Sequence, residues 1–412
     1  MKVLYLHQYF ATPSSNAGTR SYEMAKRFIE KGHEVTFVTS SAFFSNEFTF
    51  EKGWNRVEVD GILLHVYHLP YSNKDSYFSR ICKFLSFCFH SSIKVLSIKS
   101  DVVFATSTPL TICIPAIIYS KIKKVPMVFE VRDLWPELPI AVGAIKNKLL
   151  MKLAQSLESF AYKNSSHIIG LSPGMCEGVY KKFPYSEKIT LATNSCDTSL
   201  FDVSEEVGKD YKKRHLRFLG NRKLVVYTGT FGIINQVSYI VDLAVAAKQE
   251  YPELCFVAVG DGMEKEKVIE YAKSQGVYNE NLYFLEPMPK HEIVHLLSAA
   301  DLALSLFGPV TEMWSNSANK LFDALASITP VAINYAGWQK DLIVESNCGL
   351  ILDADDTHFS VRKISNFLGN NEQYSRAKNA CRNLAYNCYS RDIMAARVEK
   401  VLVGVGSEKK AL

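Results

Sequence analysis

Short apolar runs alternate along the chain with longer stretches of helical periodicity. Val3–Leu6 reads as a buried strand, followed by the polar loop QYFATPSSNAGT. Arg20–Lys31 then places Tyr22, Ala25, Phe28 and Ile29 on one helical face, and Gly32 sits where a helix C′ glycine belongs. Glu34–Thr39, EVTFVT, is the next strand. Strand, helix and strand in that order form a βαβ unit, which implies a right-handed crossover and a parallel sheet. The rhythm continues through Val102–Ala105, Met127–Val131 and His167–Leu171. Continuous apolar strands separated by helices predict a doubly wound α/β sheet.

At Thr193–Phe201 the pattern restarts. Leu224–Thr228 and Cys255–Val259 are strands around a helix over Val237–Gln249; Leu282–Leu285, Leu302–Leu306 and Val331–Ile333 follow, again alternating with helices. The expected domains are therefore 1–196 and 197–388, with a C-terminal helix over 389–412 packing back on the first. The one long uncharged stretch, Val102–Ser120, carries Thr106, Ser107, Thr108, Pro109, Thr111 and Pro115. A strand, a turn and a short buried helix explain it better than a membrane span. The N-terminal apolar run is too short for a signal peptide and lacks a small-residue cleavage site.

Composition adds two constraints. A chain of 412 residues suits two domains, and nine cysteines without a Cys-x-x-Cys pair argue against a zinc ribbon or disulfide framework. The net charge of +5 is too small for a dedicated nucleic-acid binder, and no nucleic-acid partner is expected. It is also uneven. Residues 1–195 hold 23 basic and 15 acidic side chains, a balance of +8, whereas the remainder balances at −3. Whatever anionic surface the protein meets belongs to the first half.

Candidate chemistry narrows the function further. His291-Glu292-Ile293-Val294-His295 matches the zinc-protease pattern. Helical spacing, however, clusters Ile293, Leu296, Leu297 and Ala300 on the core face and sends both histidines to the opposite, solvated one. Gly-x-Gly-x-x-Gly does not follow the first strand and no P-loop occurs, which removes dinucleotide dehydrogenases and P-loop phosphotransferases. Two small-residue loops remain. Asn16-Ala17-Gly18-Thr19 opens the helix at Arg20, and Gly229-Thr230-Phe231-Gly232 follows the strand LVVYT. Each feeds a helix N-terminus, where free amides and the dipole favour an anion; the other reading is two tight βα turns. In Ser315–Glu345, Asn319, Lys320 and Asp323 open a helix, with Lys320 and Asp323 sharing a face. A lysine there can pair with a diphosphate and a carboxylate can accept from ribose hydroxyls; a surface ion pair is the alternative.

The chain resembles the family 4 glycosyltransferases of bacterial O-antigen, capsule and exopolysaccharide assembly, retaining enzymes of the GT-B fold. The likeness runs through MKVLYLHQYF…GTRSYEMAKRF…GHEVTFVTS, EVRDLWPELPIAVGA, TNSCDTSLF, GDG, DLALSLF and NKLFDALASITPVAINYAGWQKDLI. It implies two Rossmann-like domains facing a central cleft and a UDP-sugar donor. Asp323 matches the second acid of the family's Glu-(seven residues)-Glu motif. The first acid falls at Ser315, where Glu312 is the nearest substitute. Lys320 corresponds to the diphosphate-binding lysine, with Asn319, Leu321, Asp261 and both glycine loops around the donor. Arg132 occupies the place of an active-site histidine, leaving Asp133 or Glu130 as polar partner for the acceptor. No Asp-x-Asp motif is present, and neither metal nor cofactor is expected.

The resemblance also implies a polyprenyl-diphosphate-linked saccharide acceptor at the inner face of the cell membrane. Arg80, Lys83, Lys94 and Lys99 among Phe78, Phe84, Leu85 and Phe89 suit an anionic membrane surface, as do Lys146, Lys148 and Lys152 beside Leu149 and Leu150; a core helix with a solvated basic face is the alternative. Relatives closest in the RDLWPE block include N-acetyl-fucosamine transferases, which points to an N-acetylated deoxysugar. The alternative function is a catalytically silent nucleotide-sugar-binding scaffold.

Overall fold

The structure, a computed structural model, describes residues 1–15, 18–44, 48–70, 77–141, 143 and 145–408. Asn16 and Ala17 of the first small-residue loop lie outside them. The chain divides into two compact units, Met1–Thr193 with Arg391–Leu412, and Asn194–Ser390.

The first unit runs β1 (Lys2–Leu6), α1 (Arg20–Glu30), β2 (Glu34–Ser40), β3 (Trp54–Val59), β4 (Ile62–Tyr67), α2 (Tyr77–Lys94), β5 (Val102–Thr106), α3 (Cys113–Lys123), β6 (Met127–Val131), α4 (Glu137–Ala141), α5 (Lys148–Lys163), β7 (His167–Gly170), α6 (Pro173–Lys182) and β8 (Ile189–Leu191). Its sheet has the order β3-β4-β2-β1-β5-β6-β7-β8. Every pairing is parallel except β3 with β4. All five residues of β5 and of β6 are buried, as expected where helices cover both faces of a parallel sheet. The β3–β4 hairpin was not expected. Its turn is Asp60-Gly61, both at positive φ, the combination that a two-residue hairpin loop needs. Gly32 does terminate α1: its N–H donates to the Ile29 carbonyl and that of His33 to the Phe28 carbonyl, a Schellman closure.

The second unit contains α7 (Glu205–His215), β9 (Lys223–Thr228), α8 (Ser238–Glu250), β10 (Leu254–Val259), α9 (Lys265–Ser274), β11 (Leu282–Leu285), α10 (Lys290–Ala299), β12 (Leu302–Ser305), α11 (Asn319–Ala326), β13 (Val331–Ile333), α12 (Trp338–Ser346), β14 (Gly349–Ile351), α13 (Thr357–Gly369) and α14 (Asn371–Asn383). Its all-parallel sheet has the order β11-β10-β9-β12-β13-β14. The strand order reverses between β9 and β12, and in the first sheet between β1 and β5. In open α/β sheets, ligands bind outside the carboxyl ends of the strands at such switch points.

The last helix, α15 (Arg391–Glu408), returns to the first unit and packs on α1. Arg27 pairs with Asp392 at 2.7 Å, Arg391 with Glu23 at 2.7 Å and His33 with Glu399 at 3.0 Å. Val102–Ser120 divides between β5 and α3, and among the described residues no helix is long and apolar enough to cross a membrane.

Candidate active site

In the second unit the loop after β9 is held from beneath by the loop after β10. The Gly229 N–H donates to the Val259 carbonyl and the Phe231 N–H to that of Asp261, both at 2.9 Å. Gly229 has φ +145°, and a Cβ there would lie 2.3 Å from Lys320 Cε. The positive φ favours glycine, whose backbone lies against the end of the Lys320 side chain. Gly232 and Thr230 lie at the rim, and Asp261 is exposed with Oδ1 accepting from the Gly262 N–H at 2.8 Å. The Gly308 N–H, after β12, donates to the Ile234 carbonyl at 2.8 Å, so both switch-point loops are tied together.

Lys320 occupies the first turn of α11, half-buried, with Nζ 5.3 Å from the centroid of the Tyr227 ring. Burial lowers its ammonium to about 8, and the carboxylate of Asp323 acts the other way. Among the described residues nothing forms an ion pair with it. Its expected helical neighbour is engaged elsewhere: both oxygens of Asp323 accept from Lys290 Nζ at 2.6 Å. Lys290, at the start of α10, was missed by sequence reading because it lies 33 residues from Asp323.

Other expected donor residues are placed differently. Phe231 and Leu321 are fully buried in the core of their unit, so their side chains are not ligand groups. The reason is simple: both are large, apolar and on inward-facing positions. Glu312 is exposed, Ser315 half-buried in the same short 3-10 turn, and Asn319 exposed at the start of α11. His291 is exposed as expected. His295, however, is half-buried, its ring 6.1 Å from that of Tyr211, rather than solvated. Among the described residues no three His, Cys, Asp or Glu side chains are grouped to hold a metal ion.

In the first unit Glu130 is not a free carboxylate. It is fully buried, accepting from Arg20 Nη2 at 2.8 Å, Arg20 Nε at 3.1 Å and Thr106 Oγ1 at 3.1 Å. Arg20 also donates to the carbonyls of Thr193 and Ala192, so this ion pair ties α1 to the end of the domain. Gly18 is exposed and Thr19 caps α1 without a side-chain bond.

Arg132 and Asp133 directly follow β6. Arg132 Nη1 donates to His7 Nε2 at 3.3 Å, and Asp133 accepts from Thr108 Oγ1 at 2.9 Å. His7 follows β1 and is almost wholly buried; burial, then the Arg132 guanidinium, hold it well below its usual pKa. Because arginine only donates, neutral His7 carries its proton on Nδ1 and donates to Ser21 Oγ at 2.8 Å. A histidine thus reaches this position from β1, a residue sequence reading passed over because it lies in a polar loop 125 residues away.

Residues 17–194 match the family described as Glycosyl transferase 4-like domain, and residues 209–384 that described as Glycosyl transferases group 1. The chain is 20% identical over 297 residues to the putative colanic acid biosynthesis glycosyl transferase WcaI of Escherichia coli, covering 69% of this chain and 72% of that protein. It is 22% identical over 265 residues to D-inositol 3-phosphate glycosyltransferase of Corynebacterium urealyticum, covering 59% of this chain and 60% of that protein's length. Anabaena HepE, solved in complex with UDP, superposes with a TM-score of 0.70 at 16% identity, covering 98% of this chain and 100% of that one. With a 4-like domain in its first half, a group 1 domain in its second and a fold shared with HepE, the chain belongs to the GT-B glycosyltransferases.

Proposed function

We propose that the protein transfers a sugar, with retention, from a UDP-sugar to a polyprenyl-diphosphate-linked saccharide in bacterial surface-polysaccharide synthesis, without a metal. The observation that carries this reading is Lys320: an ammonium lowered to about 8 by burial, its end packed against Gly229, a residue at positive φ. Such a site favours a ligand anion, and a diphosphate restores the charge that burial disfavours. WcaI is named for colanic acid biosynthesis and HepE was solved with UDP, which supports the donor and product class.

In the reaction the bond from the sugar C1 to the diphosphate oxygen breaks, and the acceptor oxygen bonds to C1 on the same face. The acceptor proton passes to the departing diphosphate. Lys320 and the first turn of α11 hold the charge that develops there. Arg132, its guanidinium held by neutral His7, and Asp133 present donors and acceptors for the acceptor saccharide.

The donor is a UDP-linked N-acetylated deoxysugar, following the RDLWPE block. The membrane side of the reading rests on the first unit. Leu85, Phe89 and Ile93 are exposed four residues apart on α2, and Leu149, Leu150 and Leu153 on α5 beside exposed Lys148 and Lys152. Apolar side chains among lysines suit peripheral attachment to an anionic leaflet. Salt-sensitive flotation with anionic liposomes is expected; its absence would remove the membrane.

Thermal shift with a panel of nucleotide sugars and free UDP tests the donor. UDP should raise the unfolding temperature through mass action, and Lys320→Ala should abolish the shift. No response to any uridine nucleotide would defeat the reading.

A further inference from the structure

The second unit has a pocket of about 750 Å³ at the amino ends of strands β12 and β13. It is walled by Ser298 and Ala300, just before β12, and by Ser327, Ile328 and Thr329, just before β13. The glycine loops and Lys320 lie instead beyond the carboxyl ends of those strands. Helix α11 runs between the two places, with Lys320 in its first turn and Ser327 at its end. Eight residues separate the ends by about 12 Å.

The chemistry of this pocket differs from that of the donor site. One stripe of α14 and the turn after it presents Asn379, Asn383 and Asn387, four residues apart, with Asn387 Nδ2 donating to Asn383 Oδ1 at 2.8 Å. The adjacent stripe presents Tyr374, Lys378, Arg382 and Tyr386. Lys378 pairs with Glu205, and Asp202 lines the same space as Arg382, so the charges balance. Balanced charge makes this a poor diphosphate site. Amides that both donate and accept match vicinal hydroxyls, and tyrosines supply flat apolar faces with a polar edge.

Two backbone features mark the same wall. Ile328 has φ +57°, a left-handed conformation at the end of α11 where glycine or asparagine is usual. For a β-branched residue that conformation is strained. Residues Leu384–Cys388 form a π-helical turn, and Tyr386 and Asn387 within it line the pocket. Retained strain and π-turns both concentrate at functional sites.

We infer that this pocket binds a neutral segment of an oligosaccharide, a saccharide site separate from the one around Lys320. Amide stripe, aromatic faces, balanced charge and a volume within the roughly 300–1,000 Å³ of ligand pockets all agree with that class. The inference does not depend on the donor assignment.

Saturation-transfer NMR on the full chain tests it with chitotetraose, maltohexaose and cellotetraose, each alone and with excess UDP. At least one probe should receive signal, and UDP should leave that signal unchanged. Asn383→Ala with Tyr386→Ala should weaken it at least about tenfold, and Ser204→Trp, on the opposite rim, should block it. Lys320→Ala should not alter it. No signal from the three probes, signal removed by UDP, or signal intact in both pocket variants would each overturn the inference.

Discussion

The carboxyl ends of the two sheets hold their charges in opposite ways. In the first unit the Arg20 and Glu130 side chains are 6% and 0% exposed, bonded to one another and to two carbonyls. Those charges complete the fold and leave nothing for a ligand. In the second unit Lys320 is held against glycine without a carboxylate, and burial penalises its charge. A site that keeps a cation without its counter-ion is prepared to receive one. The same topology therefore supports a closed polar core in one half and an ammonium without an ion-pair partner in the other.

Breaking the closed pair should have the largest effect. Glu130→Ala leaves the Arg20 guanidinium buried without its carboxylate, and removing one partner of such a pair costs about 3–5 kcal/mol. Urea unfolding of the first unit should show that loss; a change below about 1 kcal/mol would mean water replaces Glu130 freely. Next comes the open cation. Lys320→Ala should leave stability nearly unchanged and lower turnover about 100–1,000-fold, as loss of one transition-state charge donor does. UDP release from the nucleotide sugar selected by thermal shift measures it. Equal stability losses in both variants would erase the contrast.

The lysine also sets a pH dependence. With its free-protein value near 8 and a higher one beside diphosphate, UDP binding takes up a proton above pH 8. UDP affinity should fall about tenfold between pH 7 and pH 9. Calorimetry should show that slope in the natural chain and a flat profile in Lys320→Arg, whose guanidinium does not titrate. His7 works in the other direction. Its folded value lies below its unfolded one, so the unfolded chain binds more protons as pH falls through 6.5, and stability declines there.

Much of this was legible in the residues. Uniformly apolar strands revealed the parallel core of each sheet, and Gly32 revealed the end of α1, because these signals are local. The β3–β4 hairpin escaped although Asp60-Gly61 announces it: β3 is half-exposed, without a continuous apolar run. Site residues were legible as types but not as partners. Lys320 and Asp323 are three apart on one helix, yet the bond to Asp323 comes from Lys290, whose position depends on how α10 packs. Glu130 looked catalytic beside Arg132. Period-two alternation says that Glu130 and Arg132 share a face, but only the tertiary structure brings Arg20 beneath the carboxylate.

The smallest expected effect decides what Asp323 does. Its bridge to Lys290 is partly exposed, with the side chains 34% and 16% accessible, so Lys290→Ala should cost less than about 1 kcal/mol of stability. A carboxylate offers about four lone-pair positions, and a two-oxygen bond to one ammonium leaves some for ribose hydroxyls. If Asp323 accepts from the ribose, Asp323→Asn should weaken UDP more than 2′-deoxy-UDP. Lys290→Ala, which frees the carboxylate to reorient, should narrow the same preference by a smaller factor. An unchanged preference in both variants would make Asp323 a purely structural anchor for α10, and the second unit's open character would then rest on Lys320 alone.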